Sequence, residues 1–153
     1  MTDFSDIRAI ERKRGKNASK GQICKNPLLK KSVSWLDKAI WKECRRIKQK
    51  DRKTCYTCFR PNLEGANCQL GHYYPKGALG ATMKHDLRIL RWQCYWCNLM
   101  LGGRGGDFRE HMRVEIGDEA ERVLFDECKM SKSKPIKAKD FYIERLLLYK
   151  ELP

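Results

Sequence analysis

Two Cys-x-x-Cys pairs, Cys55–Cys58 and Cys94–Cys97, are the residues of this chain best suited to act as a set. A Cys-x-x-Cys turn offers two thiolates from one tight bend, and two such turns fill the tetrahedral shell that zinc prefers, with sulfurs about 2.3 Å from the ion. A redox use of either pair would need a thioredoxin-like βαβ pattern, which the sequence lacks. The expectation is a structural Zn2+ held by Cys55, Cys58, Cys94 and Cys97, with no place left for water. Cys24, Cys44, Cys68 and Cys128 are scattered and read as incidental.

Between the pairs lies Gly71-His72-Tyr73-Tyr74-Pro75, and directly after the second pair stands Asn98. Hydrolysis of a phosphodiester needs an activated water, a positioned phosphate and a metal to offset developing charge. His72, at the end of an expected strand, is the candidate general base. Asn98 offers a hard amide oxygen suited to Mg2+ or Mn2+. The plainer uses are also open: His72 as a packed histidine or a hydrogen-bonding helper of the zinc shell, and Asn98 as a helix cap.

The elements that must position these residues follow from local pattern. Trp35, Leu36, Ala39, Ile40, Cys44 and Ile47 recur at helical spacing, so a helix is expected over 34–50, begun by a capping box at Ser34–Asp37, with Trp35 and Trp41 packing inward. Short strands are expected over 68–74 and 87–92. The run Gly102-Gly103-Arg104-Gly105-Gly106 reads as a flexible loop. Helices are expected over 107–115, 118–129 and 139–150, the last with an apolar face of Phe141, Ile143, Leu146, Leu147 and Leu148 that should dock on the domain or pair with another helix. The fold class is therefore α+β. Residues 1–31 read as a basic, mobile arm, 32–130 as the zinc-containing domain, and 131–153 as a linker and C-terminal helix.

The chain has 153 residues, with 33 Lys and Arg against 19 Asp and Glu, a formal net charge of +14. Such an excess favours polyanions, nucleic acid first, and a membrane surface second. No apolar run approaches the roughly 20 residues of a membrane span, and the first ten residues lack a signal-peptide core. A cytoplasmic location is expected. Lys76, Lys84, Arg88, Arg91, Arg104 and Arg109 surround the expected cleft and are candidate phosphate contacts, although a solvated basic surface would look the same. Arg104, in its glycine loop, is the favoured one.

The order Cys-x-x-Cys, Gly71-His72-Tyr73, Cys-x-x-Cys-Asn98 resembles the zinc-containing HNH nucleases of the ββα-metal type. In outline it is similar to endonuclease VII, and over about residues 34–150 it resembles the NinG (Rap) family of phage recombination endonucleases. Gln93-Cys94, Phe108-Arg109, Ile116-Gly117-Asp118-Glu119 and the closing Tyr149-Lys150 helix carry the wider likeness. The resemblance implies a zinc-stapled ββα-metal core with flanking helices, a phage-encoded protein in a host cell, and cleavage of branched DNA such as Holliday junctions or D-loops. It implies His72 as base and Asn98 as a ligand of the catalytic metal. Where the family pattern continues with His and Ser-Gly-Asn, this chain has Met100 and Gly102-Gly103-Arg104, so a second ligand is open among Asp86, Asp107 and His111. His85 and His111 otherwise read as surface histidines. A homodimer would suit a symmetric junction. The alternative reading is a non-catalytic zinc module that binds DNA or RNA.

Overall fold

The computed structural model describes residues 26–133 and 138–153. Most of the expected N-terminal arm and part of the expected linker that begins at residue 131 lie outside these residues. Asn26–Lys31 are described: Pro27–Lys30 form a 3-10 turn, capped by the Asn26 side chain, which accepts from the Leu28 N–H at 3.0 Å. Among the described residues no helix is long and apolar enough to cross a membrane. The chain groups into two compact units, residues 48–136 and the remainder.

In the first unit, helix α1 spans Val33–Lys48. Leu36, Ile40, Cys44 and Ile47 are fully buried, as their spacing requires. The cap is Ser32 rather than the expected Ser34: its Oγ accepts from the Trp35 N–H at 3.1 Å, the bond available to the residue just outside the helix. Trp35 is exposed rather than packed, with the Lys31 ammonium 5.0 Å from its ring. The C-terminal helix of the chain, Ala138–Glu151, pairs with α1 in this unit. Arg46 Nη2 donates to the carbonyls of Tyr149 and Leu152 at 2.7 and 2.8 Å, satisfying acceptors that a helix end leaves open. Its buried face comprises Tyr142, Ile143, Leu146, Leu148 and Tyr149. Leu147 stands outside that face.

The second unit is built on one antiparallel hairpin, β1 (Gln69–His72) and β2 (Leu90–Gln93). The register pairs Gln69 with Gln93, Leu70 with Trp92, Gly71 with Arg91 and His72 with Leu90. Leu87–Ile89, expected as strand, is a 3-10 turn capped by Asp86, which accepts from the Arg88 N–H. After β2 the chain makes a wide helical turn over Trp96–Met100. Helices α2 (Gly105–Ile116) and α3 (Asp118–Met130) follow, joined at Gly117; the C-terminal helix is α4. Phe108 and Met112 of α2 are buried completely, and Leu124 and Cys128 of α3 nearly so. The Phe108 ring lies 4.8 Å from Tyr56 and 5.9 Å from Tyr73. It thereby ties the first Cys pair to the end of the hairpin.

The glycine run corrects the sequence expectation. Gly105 and Gly106 are the first turn of α2, where N–H groups need no intrahelical partner. Gly102, Gly103 and Arg104 all take positive φ (60°, 85° and 49°), a left-handed bend that glycine accepts without steric cost. The bend is pinned: Gly103 N donates to Cys97 O at 2.9 Å, and Gly103 O accepts from Gln93 Nε2 at 2.9 Å. A buried tertiary anchor converts a permissive sequence into one conformation.

Candidate metal centre and the hairpin site

Each Cys-x-x-Cys pair is placed by the hairpin. Tyr56 N donates to Trp92 O at 2.8 Å, which sets the first turn beside β2, and Cys94 follows directly on β2. Tyr95 N donates to Asn67 Oδ1 at 3.0 Å, orienting the second turn. The sulfurs of Cys55, Cys58, Cys94 and Cys97 lie within 4.8 Å of one another. The Cys58 and Cys94 sulfurs are 3.8 Å apart. A tetrahedron with bonds of about 2.3 Å has edges of about 3.8 Å, so the four residues fit zinc. Zinc bound there would crosslink the two turns. Burial alone would raise the Cys55 thiol, but hydrogen bonds from the Cys94 backbone and the Thr57 hydroxyl outweigh it and bring the group down to about 6. Burial pushes Cys58 up to about 12 and also raises Cys94. Arg104 pairs with Asp107 at 2.6 Å, and the nearby Cys97 sulfur and Asp107 carboxylate both raise its pKa. Four thiolates around a dication would carry net negative charge, and this guanidinium offsets part of it. Of the remaining cysteines, Cys24 lies outside the described residues.

The hairpin carries two side-chain groups on opposite faces, because successive strand residues alternate. Gln69 and Gly71 share one face of β1, Leu70 and His72 the other. On the Gly71 face a chain of amides is oriented without ambiguity. Gln69 Nε2 donates to Ala66 O at 3.2 Å, so its Oε1 receives Asn98 Nδ2 at 2.7 Å. That leaves Asn98 Oδ1 turned toward Gly71. Gln93 Nε2 donates to Thr57 Oγ1 and Gly103 O at 3.1 and 2.9 Å, so Gln93 Oε1 also faces Gly71. Gln93 is fully buried and this oxygen has no hydrogen-bond partner. A side chain at position 71 would fill the space: a Cβ there would stand 1.9 Å from Gln93 Oε1 and 3.1 Å from Asn98 Oδ1. Sequence reasoning assigned Asn98 and left Gln93 without a role. Its register opposite Gln69, one residue before Cys94, was the available signal.

On the other face, His72 Nε2 lies 3.1 Å from Lys84 O. A carbonyl only accepts, so the ring hydrogen sits on Nε2 and the Nδ1 lone pair is the basic position. Burial lowers the His72 pKa to about 4; the Lys84 carbonyl opposes that, and the charges of Lys76 and Lys84 add to it. The imidazole is therefore neutral near pH 7. The structure does not bring His72 and Asn98 into contact; they flank Gly71 from the two faces.

The remaining candidates have definite partners. Asp86 accepts from Arg88 Nε and Nη2, and Arg88 also pairs with Glu127 at 2.7 Å. Asp107 holds Arg104, and His111 Nδ1 donates to Tyr56 O at 2.8 Å. Arg91 is 8% exposed and pairs with Glu115 at 2.7 Å. Arg109 pairs at 2.7 Å with Glu121, which is 1% exposed and also receives the Tyr73 hydroxyl. Arg88, Arg91 and Arg109 are thus fastened to α2 and α3, while Lys76 is exposed. His85, expected at the surface, is buried.

These features define a mixed α+β protein with a small two-stranded sheet and a four-cysteine cluster that can hold a metal such as zinc. Compared with known protein families, curated proteins and solved structures, the chain finds no match.

Proposed function

We propose that this chain is a metal-dependent DNA endonuclease of the HNH (ββα-metal) type, acting on branched recombination intermediates such as Holliday junctions or D-loops. The observation that carries the reading is His72: a neutral imidazole at the end of β1, its tautomer set by the Lys84 carbonyl, flanked by the charges of Lys76 and Lys84. The two ammonium groups draw a phosphate to the imidazole, and the arriving negative charge strengthens Nδ1 as a base. Nδ1 then removes a proton from the water that attacks phosphorus, the P–O bond to the leaving sugar oxygen breaks, and that oxygen is protonated from solvent. Asn98 Oδ1, with its amide fixed by Gln69, is the group that would hold Mg2+ or Mn2+. An ion held there would supply charge neutralisation to the DNA backbone on the Gly71 face of the hairpin, opposite His72. Zinc in the cluster would fix the end of the hairpin at which β2 runs into Cys94. Lys76, and the exposed Arg52, Lys53 and Arg60 around the first Cys pair, are the cations best placed to meet a DNA backbone.

A second reading, a zinc module that binds nucleic acid without cutting it, is favoured by one observation. Position 71 has no side chain, and Asp86 and Asp107 are held by arginines.

The deciding experiment incubates a labelled four-way junction and a linear duplex with the zinc-loaded protein and Mg2+ or Mn2+. Cutting of the junction, abolished in His72→Ala while zinc content and binding persist, is expected. Equal cutting of both substrates would replace the branched-DNA reading with a general nuclease. Salt-sensitive binding without cutting under either metal would leave the binding module.

A further inference from the structure

The second Cys turn exposes an apolar surface that the proposed chemistry does not use. Between and after its two buried ligands, Tyr95 is 44% exposed, Trp96 54%, Leu99 57%, Met100 55% and Leu101 47%. The wide turn over Trp96–Met100 closes with Leu101 N donating to Trp96 O at 3.0 Å. Such a turn stacks Trp96 beside Met100 and Leu101, so these side chains form one patch rather than scattered contacts. Exposed apolar area on the order of several hundred Å² in one place marks an interaction site. The backbone beneath it is rigidly held, by the Cys cluster on one side and by Asn67 Oδ1 on Tyr95 N on the other.

Charge selects the occupant. No acidic residue occurs between Leu87 and Gly106, and the chain as a whole carries +14. Exposed Arg52, Lys53 and Arg60 flank the first Cys pair, whose Cys58 sulfur lies 3.8 Å from that of Cys94. Aromatic faces and cations therefore ride on the same cluster. That combination matches a single-stranded polyanion whose bases lie free to stack, the arrangement by which strands are held without sequence preference. A paired duplex offers the cations its phosphates but hides its base faces from the aromatics.

We infer that Tyr95 and Trp96 form a stacking platform for unpaired bases of nucleic acid, with Leu99, Met100 and Leu101 as its apolar floor. The inference rests on the nucleic-acid reading above and adds what part of a branched substrate the protein grips: a single-stranded segment, as in the displaced strand of a D-loop. It is independent of whether the strand is cut.

The test uses the full zinc-loaded chain without added Mg2+ or Mn2+, and measures tryptophan fluorescence and affinity for oligo(dT) of about 20 nucleotides and for a blunt duplex of matched length. Oligo(dT) is expected to quench the wild-type fluorescence. Trp96→Ala should weaken oligo(dT) binding by about fivefold or more, and duplex binding by less than about twofold, while Trp96→Phe keeps most of the affinity. Trp96 is exposed, so zinc content and circular dichroism should be unchanged in both variants. Equal losses for the two DNAs, or no loss, would overturn the platform. So would a concentration-dependent dimer in sedimentation that Trp96→Ala dissolves, which would assign the patch to a second copy of the chain. Stacking without any junction cleavage would defeat the nuclease reading alone. Cleavage that is indifferent to Trp96→Ala, without preference for single strands, would defeat the platform alone.

Discussion

Replacing Gly71 with alanine probes the hairpin site with the smallest possible change. The added Cβ would stand 1.9 Å from Gln93 Oε1, 2.7 Å from Gln93 Cδ and 3.1 Å from Asn98 Oδ1. Gln93 is fully buried and cannot yield by moving into solvent. To admit the methyl group it must release Thr57 Oγ1 and Gly103 O, two hydrogen bonds of about 0.5–1.5 kcal/mol each. Forcing a methyl into a packed site costs about 1–3 kcal/mol where the neighbours relax only partly. Against this, alanine stiffens the unfolded chain and returns about 0.4–1 kcal/mol. The net expectation is a destabilisation of about 1–5 kcal/mol. Urea unfolding of the zinc-loaded protein measures it. Gln93→Ala removes the clashing amide, so the double variant should be more stable than the two single effects summed by at least about 1 kcal/mol. A neutral or stabilising Gly71→Ala, or an additive cycle, would refute the placement of the Gln93 amide over Gly71 and with it the oriented amide set that includes Asn98.

The Cys cluster should bind one zinc per chain. Cobalt substituted for zinc should give the absorption of a tetrahedral thiolate site, and Cys58→Ser should lose it; an octahedral cobalt spectrum in the wild type would refute the four-sulfur shell. His72 links stability to acid. Its pKa is depressed from 6.5 to about 4, so the unfolded chain takes up a proton that the folded chain refuses. Its contribution is fully present above pH 6.5 and is lost as pH falls towards 4, at most about 3 kcal/mol. Denaturation at pH 7 and pH 5 should therefore show a smaller acid loss in His72→Gln than in wild type. Equal losses would mean that His72 is not held neutral by burial.

Much of the candidate site was legible because it depends on local spacing. Cys55 and Cys58, or Cys94 and Cys97, need only one turn of chain to present both sulfurs, so the pairs announce a metal cluster before any fold is known. The apolar stripe of α1 is equally local, written in a period of 3.6. The capping of α1 was two residues out of place, since Ser32 and Ser34 are alike in sequence and only the path of the chain into the helix selects between them.

What the tertiary structure decided were the partners of the charged and amide groups. Arg91 meets Glu115 and Arg88 meets Glu127 only when α2 and α3 fold back beside the hairpin, and Arg109 meets Glu121 only when α2 and α3 pack on each other. The sequence counts these arginines among 33 basic residues without saying which of them remain for a polyanion. Likewise the glycine run becomes a fixed bend because a buried Gln93 reaches Gly103. Residue types and spacings alone determined that this chain carries a four-cysteine cluster in an α+β frame and a large excess of positive charge. Which oxygens face Gly71, which nitrogen of His72 is basic, and which cations stay exposed were decided by long-range packing, because hydrogen bonds and burial set the orientation and charge of a polar group and neither is a property of its neighbours in sequence.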